Sequence, residues 1–177
     1  MKKKRKAAAR SGRRPAGRRA SYATAGVNTA QEESGLKSLV EILQDTLATR
    51  PAGLGHVKLP FGFFANVVEV GNIGVAISTD GVGSKLLVAQ MVGKYDTLGI
   101  DCVAMNVNDL LCVGAEPISM VDYIAVQEPN PFLLTELAKG LRAGALTAGI
   151  TIPGGEIGQV RDIIKGARPG RRHDEWR

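Results

Sequence analysis

Aromatic residues are scarce in this sequence: Phe, Tyr and Trp together make up 5% of its 177 residues. A core built on large rings is excluded, so packing must rest on Val, Ile, Leu and Ala, within an apolar content of 44%. Histidine is rarer still. His56 and His173 have no partners at catalytic spacing, and no Ser/His/Asp arrangement offers a nucleophile. The two cysteines, Cys102 and Cys112, lack CxxC spacing and a neighbouring histidine cluster, which argues against a zinc or redox motif and for plain buried thiols. No apolar run approaches the ~18 residues of a membrane span. No hydrophobic stretch follows the basic N-terminal residues, as it would in a signal peptide. A soluble, cytoplasmic protein is the expectation.

Acidic residues are missing from residues 1–20, which hold ten Lys or Arg. Residues 21–177 carry 13 basic against 17 acidic residues, a net of −4, so the overall charge of +6 describes the tail and not the folded part. The tail is low in complexity and has nothing to bury, so it is expected to be disordered. A weak nucleic-acid patch, a solvated extension and a misassigned start codon all account for it.

Glycine is abundant, at 22 residues, which points to tight turns and to backbone approaching a ligand closely. Order is expected from near Tyr22. Apolar residues at 36, 39, 40, 43 and 47 predict a helix over Leu36–Thr49, ended by Arg50–Pro51. A glycine-rich loop, Gly53–Gly62, follows. Asn66–Val70 and Ile73–Thr79 read as strands joined by a Gly71–Asn72 hairpin turn. Gly83–Val92 and Asp96–Val113 read as helices, the second with Asp96 as N-cap. Ile118–Val126 reads as a strand. Asn130–Pro131 opens another helix that Gly149 closes. Ile150–Ile152 reads as a short buried strand, Gly154–Glu156 as a turn, and Ile157–Ile164 as helical. This alternation predicts an α+β fold, with helices packed on a mixed sheet.

Three segments can carry chemistry. Ser78-Thr-Asp-Gly-Val-Gly-Ser-Lys85 leaves a strand and enters a helix, where amide groups and the helix dipole suit an anion. Lys85 there can meet a phosphate and Asp80 a magnesium ion. The spacing is not that of a P-loop, and an ordinary glycine turn with a capping aspartate fits equally. In the second segment, about 100° per residue puts Ile100, Val103, Ala104, Val107, Leu110 and Leu111 on one helix face. Asp101, Asn108 and Asp109 lie opposite, with Asn106 further round. Asn and Asp are poor helix formers, so either a metal or nucleotide holds them there or the face is simply solvated. The third is Gly154-Gly155-Glu156, a carboxylate behind two glycines or a plain turn. The Gly53–Gly62 loop does not follow a strand as GxGxxG, so a Rossmann site is not supported.

Taken in order, Tyr22–Val27, Gly53–Gly62, Ser78–Lys85, Tyr95–Asp101, Ala104–Leu110, Gly114–Pro117, Asp122–Tyr123 and Gly154–Glu156 resemble the aminoimidazole ribonucleotide synthetase family of cyclo-ligases over residues 21–165. Thiamine-monophosphate kinase and selenophosphate synthetase share that superfamily, but no reactive Cys precedes Cys102, as the latter would require. The resemblance implies a mainly antiparallel sheet that pairs into a barrel across a homodimer. It also implies ATP and Mg2+ as cofactors and formylglycinamidine ribonucleotide as substrate, with purine-ring closure as the reaction. By carry-over, Asp80, Asp109 and Glu156 hold magnesium. Lys85 and Asp80 serve catalysis. Gly53, Gly55, Gly62, Gly81, Gly83, Ser84, Lys85, Asp101, Asn106 and Asn108 meet the nucleotide. Three departures stand out: His56, Val57 and Lys58 replace glycine in the first loop, and Ser84 replaces threonine. Residues 166–177 turn irregular where the family continues into a second domain, so a truncated chain is the expectation. A non-catalytic nucleotide-binding protein or another ATP-using member of the superfamily is the alternative.

Overall fold

The computed structural model describes residues 29–161. The tail at 1–20, the Tyr22–Val27 segment, His173 and the residues at 166–177 lie outside that range. The chain divides into two compact units, Met1–Asp45 and Thr46–Arg177.

Within the first unit, helix α1 spans Thr29–Gln44. A 3-10 turn at Asp45–Thr49 follows it along the chain. The sequence reading ran these into one helix over 36–49. The chain tightens at Asp45, as helix C-termini commonly do. Leu36, Leu39 and Leu43 share a stripe on α1, yet each stays more exposed than buried-core residues are.

The first strands of the second unit are β1 (Asn66–Val70) and β2 (Ile73–Ile77), antiparallel in the expected register with Val70 opposite Ile73. Gly71 turns the hairpin at φ 63°, which a Cβ would disfavour. Helix α2 covers Lys85–Val92 and ends on Gly93 in the left-handed region. Helix α3 covers Asp96–Cys112. Tyr95, not Asp96, occupies its N-cap, and Asp96 is the first helical residue, where its charge still meets the helix dipole favourably. Strand β3 is shorter than expected, Asp122–Val126, with an isolated bridge from Ser119 to Thr151 standing in for the strand start. Helix α4 runs Pro131–Ala148 as read from sequence. The Asn130 side chain accepts from the Phe132 and Leu133 amides, and Gly149 closes the helix at φ 69°.

Strand β4, Gly155–Gln159, replaces the turn and helix expected at 154–164. It pairs parallel to β3, with Asp122 beside Gly155 and Tyr123 beside Glu156. The mixed α/β character therefore holds, but antiparallel pairing does not dominate. The described residues form two separate two-stranded sheets, one of each kind.

The core lies where α3 crosses α4. Val103, Leu141, Ala145 and Ile150 are buried there, with Cys102, Val107, Met120, Ile124 and Ile152 packed around them. The helices touch backbone to backbone: a Cβ on Gly99 would strike the α4 main chain, and one on Gly140 would strike Asp96 O. This contact rotates α3 relative to the apolar stripe read from sequence. Leu98 and Val103 are buried, while Ile100 and Leu111 are 45% and 56% exposed.

Candidate functional site

Between the end of β2 and the start of α2 the chain has neither a strand nor a helix to satisfy its backbone. The polar face of α3 supplies partners instead. Ser78 Oγ donates to Asp109 Oδ2 at 3.0 Å. Asn106 Oδ1 accepts from Asp80 N–H at 2.9 Å, and Asn106 Nδ2 donates to Asp80 O at 3.1 Å. Lys85 Nζ stands 3.0 Å from Asp101 Oδ1. The loop thus runs antiparallel to α3, one rung near each turn of the helix. Of the Asn and Asp residues that seemed out of place in a helix, Asp101, Asn106 and Asp109 are the rungs, and Asn108 is not.

A cleft of about 720 Å³ opens beside this loop. Its wall includes Asp80, Cys102, Asn106 and, from β3, Asp122 and Tyr123. Asp80 Oδ1 accepts from Gly81 N–H at 2.6 Å. Burial pushes the Asp122 carboxyl up from its usual range. Burial likewise pushes up the Cys102 thiol, with the Asp122 and Asp80 charges adding to it. Cys102 is therefore held as a thiol and not as a nucleophilic thiolate. It is half-buried, as expected of a packing residue, whereas Cys112 is exposed and not the buried thiol expected.

Lys85 and Asp101 lie apart from that cleft, on a smaller hollow of about 240 Å³ between α2 and α3. Asn108 is exposed on α3. Ser84 precedes α2 without capping it through its side chain, and Gly83 turns the chain at φ 56°. Gly81 is exposed beside Asp80.

Gly53, Gly55 and Gly62 all have positive φ, at 71°, 85° and 113°. The middle of their loop is laced to β1: Gly55 N–H donates to Glu69 O at 2.7 Å and Lys58 N–H to Val67 O at 2.8 Å. Val57 bridges Val68, and Lys58 pairs with the Glu69 carboxylate, which it holds below the usual range. His56 Nδ1 lies 3.1 Å from Arg50 O. The departures from glycine at 56–58 thus fall where the loop behaves as a strand edge.

Glu156 is exposed on β4. The glycine before it is explained by packing, since a Cβ at Gly155 would stand 2.5 Å from Asp122 Oδ1. Among the described residues no three His, Cys, Asp or Glu side chains come together as a metal cage, so Asp80, Asp109 and Glu156 are not gathered on one point. Their donor chemistry nonetheless fits a hard cation. All are carboxylates, none has a Lys or Arg partner among the described ion pairs, and Asp80 and Asp109 each have one oxygen fixed by a donor.

The family model described as "AIR synthase related protein, N-terminal domain" matches residues 64–168. The chain is 48% identical over 145 residues to the phosphoribosylformylglycinamidine cyclo-ligase of Thermococcus gammatolerans, covering 82% of this chain and 43% of that protein. The Pyrococcus furiosus protein of the same name matches at the same identity and coverage. That of Methanothermobacter thermautotrophicus is 47% identical over 146 residues, covering 81% and 41%. The match thus spans somewhat less than half the length of these curated relatives.

Proposed function

The chain belongs to the AIR synthase related family through its N-terminal domain, and on that premise we propose that it is the ATP-binding part of a phosphoribosylformylglycinamidine cyclo-ligase acting in purine biosynthesis. The observation that carries the reading is the ladder from Ser78, Asp80 and Lys85 to Asp109, Asn106 and Asp101 beside an acidic cleft. It is a rigid frame that presents carboxylates and a lysine at a strand-to-helix junction.

In the reaction, the formyl amide oxygen of the substrate attacks the γ-phosphorus of ATP and ADP leaves. The amidine nitrogen then attacks the activated carbon, the ring closes, phosphate departs and the nitrogen loses its proton. Such chemistry is catalysed chiefly by positioning and by offsetting charge. Asp80 and Asp109 would hold magnesium, with Glu156 approaching from β4. The ion, when bound, neutralises phosphate charge. Lys85, now paired with Asp101, would exchange that partner for a phosphate oxygen. Gly81 and Gly83 would let the backbone come close, and the Gly53–Gly62 loop would contribute from the nucleotide side. The exposed apolar strand residues Val70, Ile73, Ile77 and Ile157 support pairing of sheets across a homodimer. No helix among the described residues is long and apolar enough to cross a membrane, which agrees with a cytoplasmic enzyme.

Calorimetry with a non-hydrolysable ATP analogue tests the reading. Binding should require magnesium and should weaken at least about tenfold in Asp109→Ala, the loss of one charged contact. Unchanged affinity in that variant would reject the site.

A further inference from the structure

We infer that Asn106 is a positioning residue and not a nucleotide contact: its carboxamide clamps the backbone of Asp80 and so sets where the Asp80 carboxylate stands on the cleft wall. The functional consequence rests on the nucleotide site proposed above, whereas the clamp is geometry. A primary amide has two donor hydrogens and one carbonyl oxygen. Asn106 Oδ1 accepts from Asp80 N–H at 2.9 Å. Its Nδ2 donates to Asp80 O at 3.1 Å and to Cys102 O at 2.9 Å. Both donors and an acceptor position are thus engaged with main chain.

Each bond has a separate effect. The bond to Cys102 O, four residues back on α3, ties the side chain to its own helix. The pair to Asp80 imitates a piece of strand laid against a residue that lies past the end of β2 and before α2. Asp80 therefore keeps a fixed backbone where neither sheet nor helix would hold it. Its carboxylate is set as well, because Oδ1 accepts from Gly81 N–H at 2.6 Å. Oδ2 has no partner among the described residues and remains available on the cleft wall. The place of the free oxygen is decided before any ligand arrives, which is what a preorganised site requires.

The test pairs a structural readout with a binding one. Amide exchange at Asp80 and Gly81 is followed by NMR in the whole chain. Affinity for a non-hydrolysable ATP analogue with magnesium is measured for wild type, Asn106→Ala, Asp80→Ala and the double variant. Exchange at Asp80 should accelerate about tenfold in Asn106→Ala, while the Leu141 and Ala145 amides of α4 keep their protection and show that the fold persists. Asn106→Ser serves the same purpose if the alanine variant loses that protection. Affinity should fall in Asn106→Ala, yet the double variant should bind no more weakly than Asp80→Ala, because Asn106 acts through Asp80. Unchanged exchange at Asp80, or a further loss of affinity in the double variant, would overturn the inference and make Asn106 a direct contact. A wild-type chain that binds no nucleotide would sink the proposed function, while exchange at Asp80 would still decide the clamp.

Discussion

Asp122 illustrates how a single side chain can be costly to the fold. Its carboxyl sits on the β3 face that meets the core, beside Cys102 and against Gly155, and although Arg142 lines the same hollow, the two form no ion pair among those described. Burial raises its folded pKa above the unfolded value. The neutral form is then favoured in the folded state, so stability is lost as pH rises through the carboxylate range toward the folded pKa. Asp122→Asn should therefore raise the melting temperature at about pH 7 and leave it unchanged at about pH 3, where both states are protonated. Because the group is only partly buried, solvent screening keeps the gain at neutral pH small. Thermal melts at the two pH values measure it, and an equal effect at both would exclude ionisation as the cause. Sequence pointed to Asp101, Asn106, Asn108 and Asp109, because polar residues that disfavour helix on one face of a helix need an external reason, and to Asp80 as a carboxylate between a strand end and a glycine turn. Beyond the place of Asp122–Tyr123 in the family resemblance, it gave Asp122 no chemical role, because one carboxylate inside a β-branched run reads as part of a strand. Its place on the cleft wall depends on what packs across from it.

Among the elements, the local ones were legible and the distant ones were not. The β1–β2 hairpin carries its own turn signal, and α4 carries a cap, a first-turn proline and a terminal glycine, so neighbours along the chain suffice. Strand β4 was read as turn and helix because its hydrogen-bond partner, β3, lies over thirty residues earlier. The rotation of α3 was equally hidden, since it follows from Gly99 and Gly140 letting two backbones touch. That contact makes a sharp prediction. Gly140→Ala places a methyl group on Asp96 O and should destabilise the second unit by about 1–3 kcal/mol or more, read as a lower urea midpoint. Gly35→Ala is its control. Gly35 lies within α1 with nothing in reach of an added Cβ, so there alanine should leave stability unchanged or improve it by up to about 1 kcal/mol. Equal losses in both variants would deny the crossing its tight fit.

For the whole molecule, the large side chains buried among the described residues are few, Leu98, Val103, Val126, Leu141 and Ile150, while Val70, Ile73, Ile77 and Ile157 remain open to solvent. Apolar surface of that extent calls for a second surface to cover it. Light scattering at micromolar concentration should find a dimer, and a monomer would remove the shared-barrel arrangement from the proposal. More than half the length of each relative lies outside the match. A polypeptide of these 177 residues should accordingly bind nucleotide yet turn over substrate poorly, and mixing with the separately expressed remainder of the Pyrococcus furiosus protein should restore turnover. The ladder along α3 also has a temporal side. Its rungs join residues 16, 26 and 31 positions apart. Closing the longest loop directly costs only about 0.6 kcal/mol more than closing the shortest, since each doubling adds that much. Once Lys85 has met Asp101, each later rung closes only the few residues left between it and the one before. The junction can therefore form as a zipper, from the helix end of the loop back to the strand, as soon as Asp109 has left the ribosome and before β4 has been made.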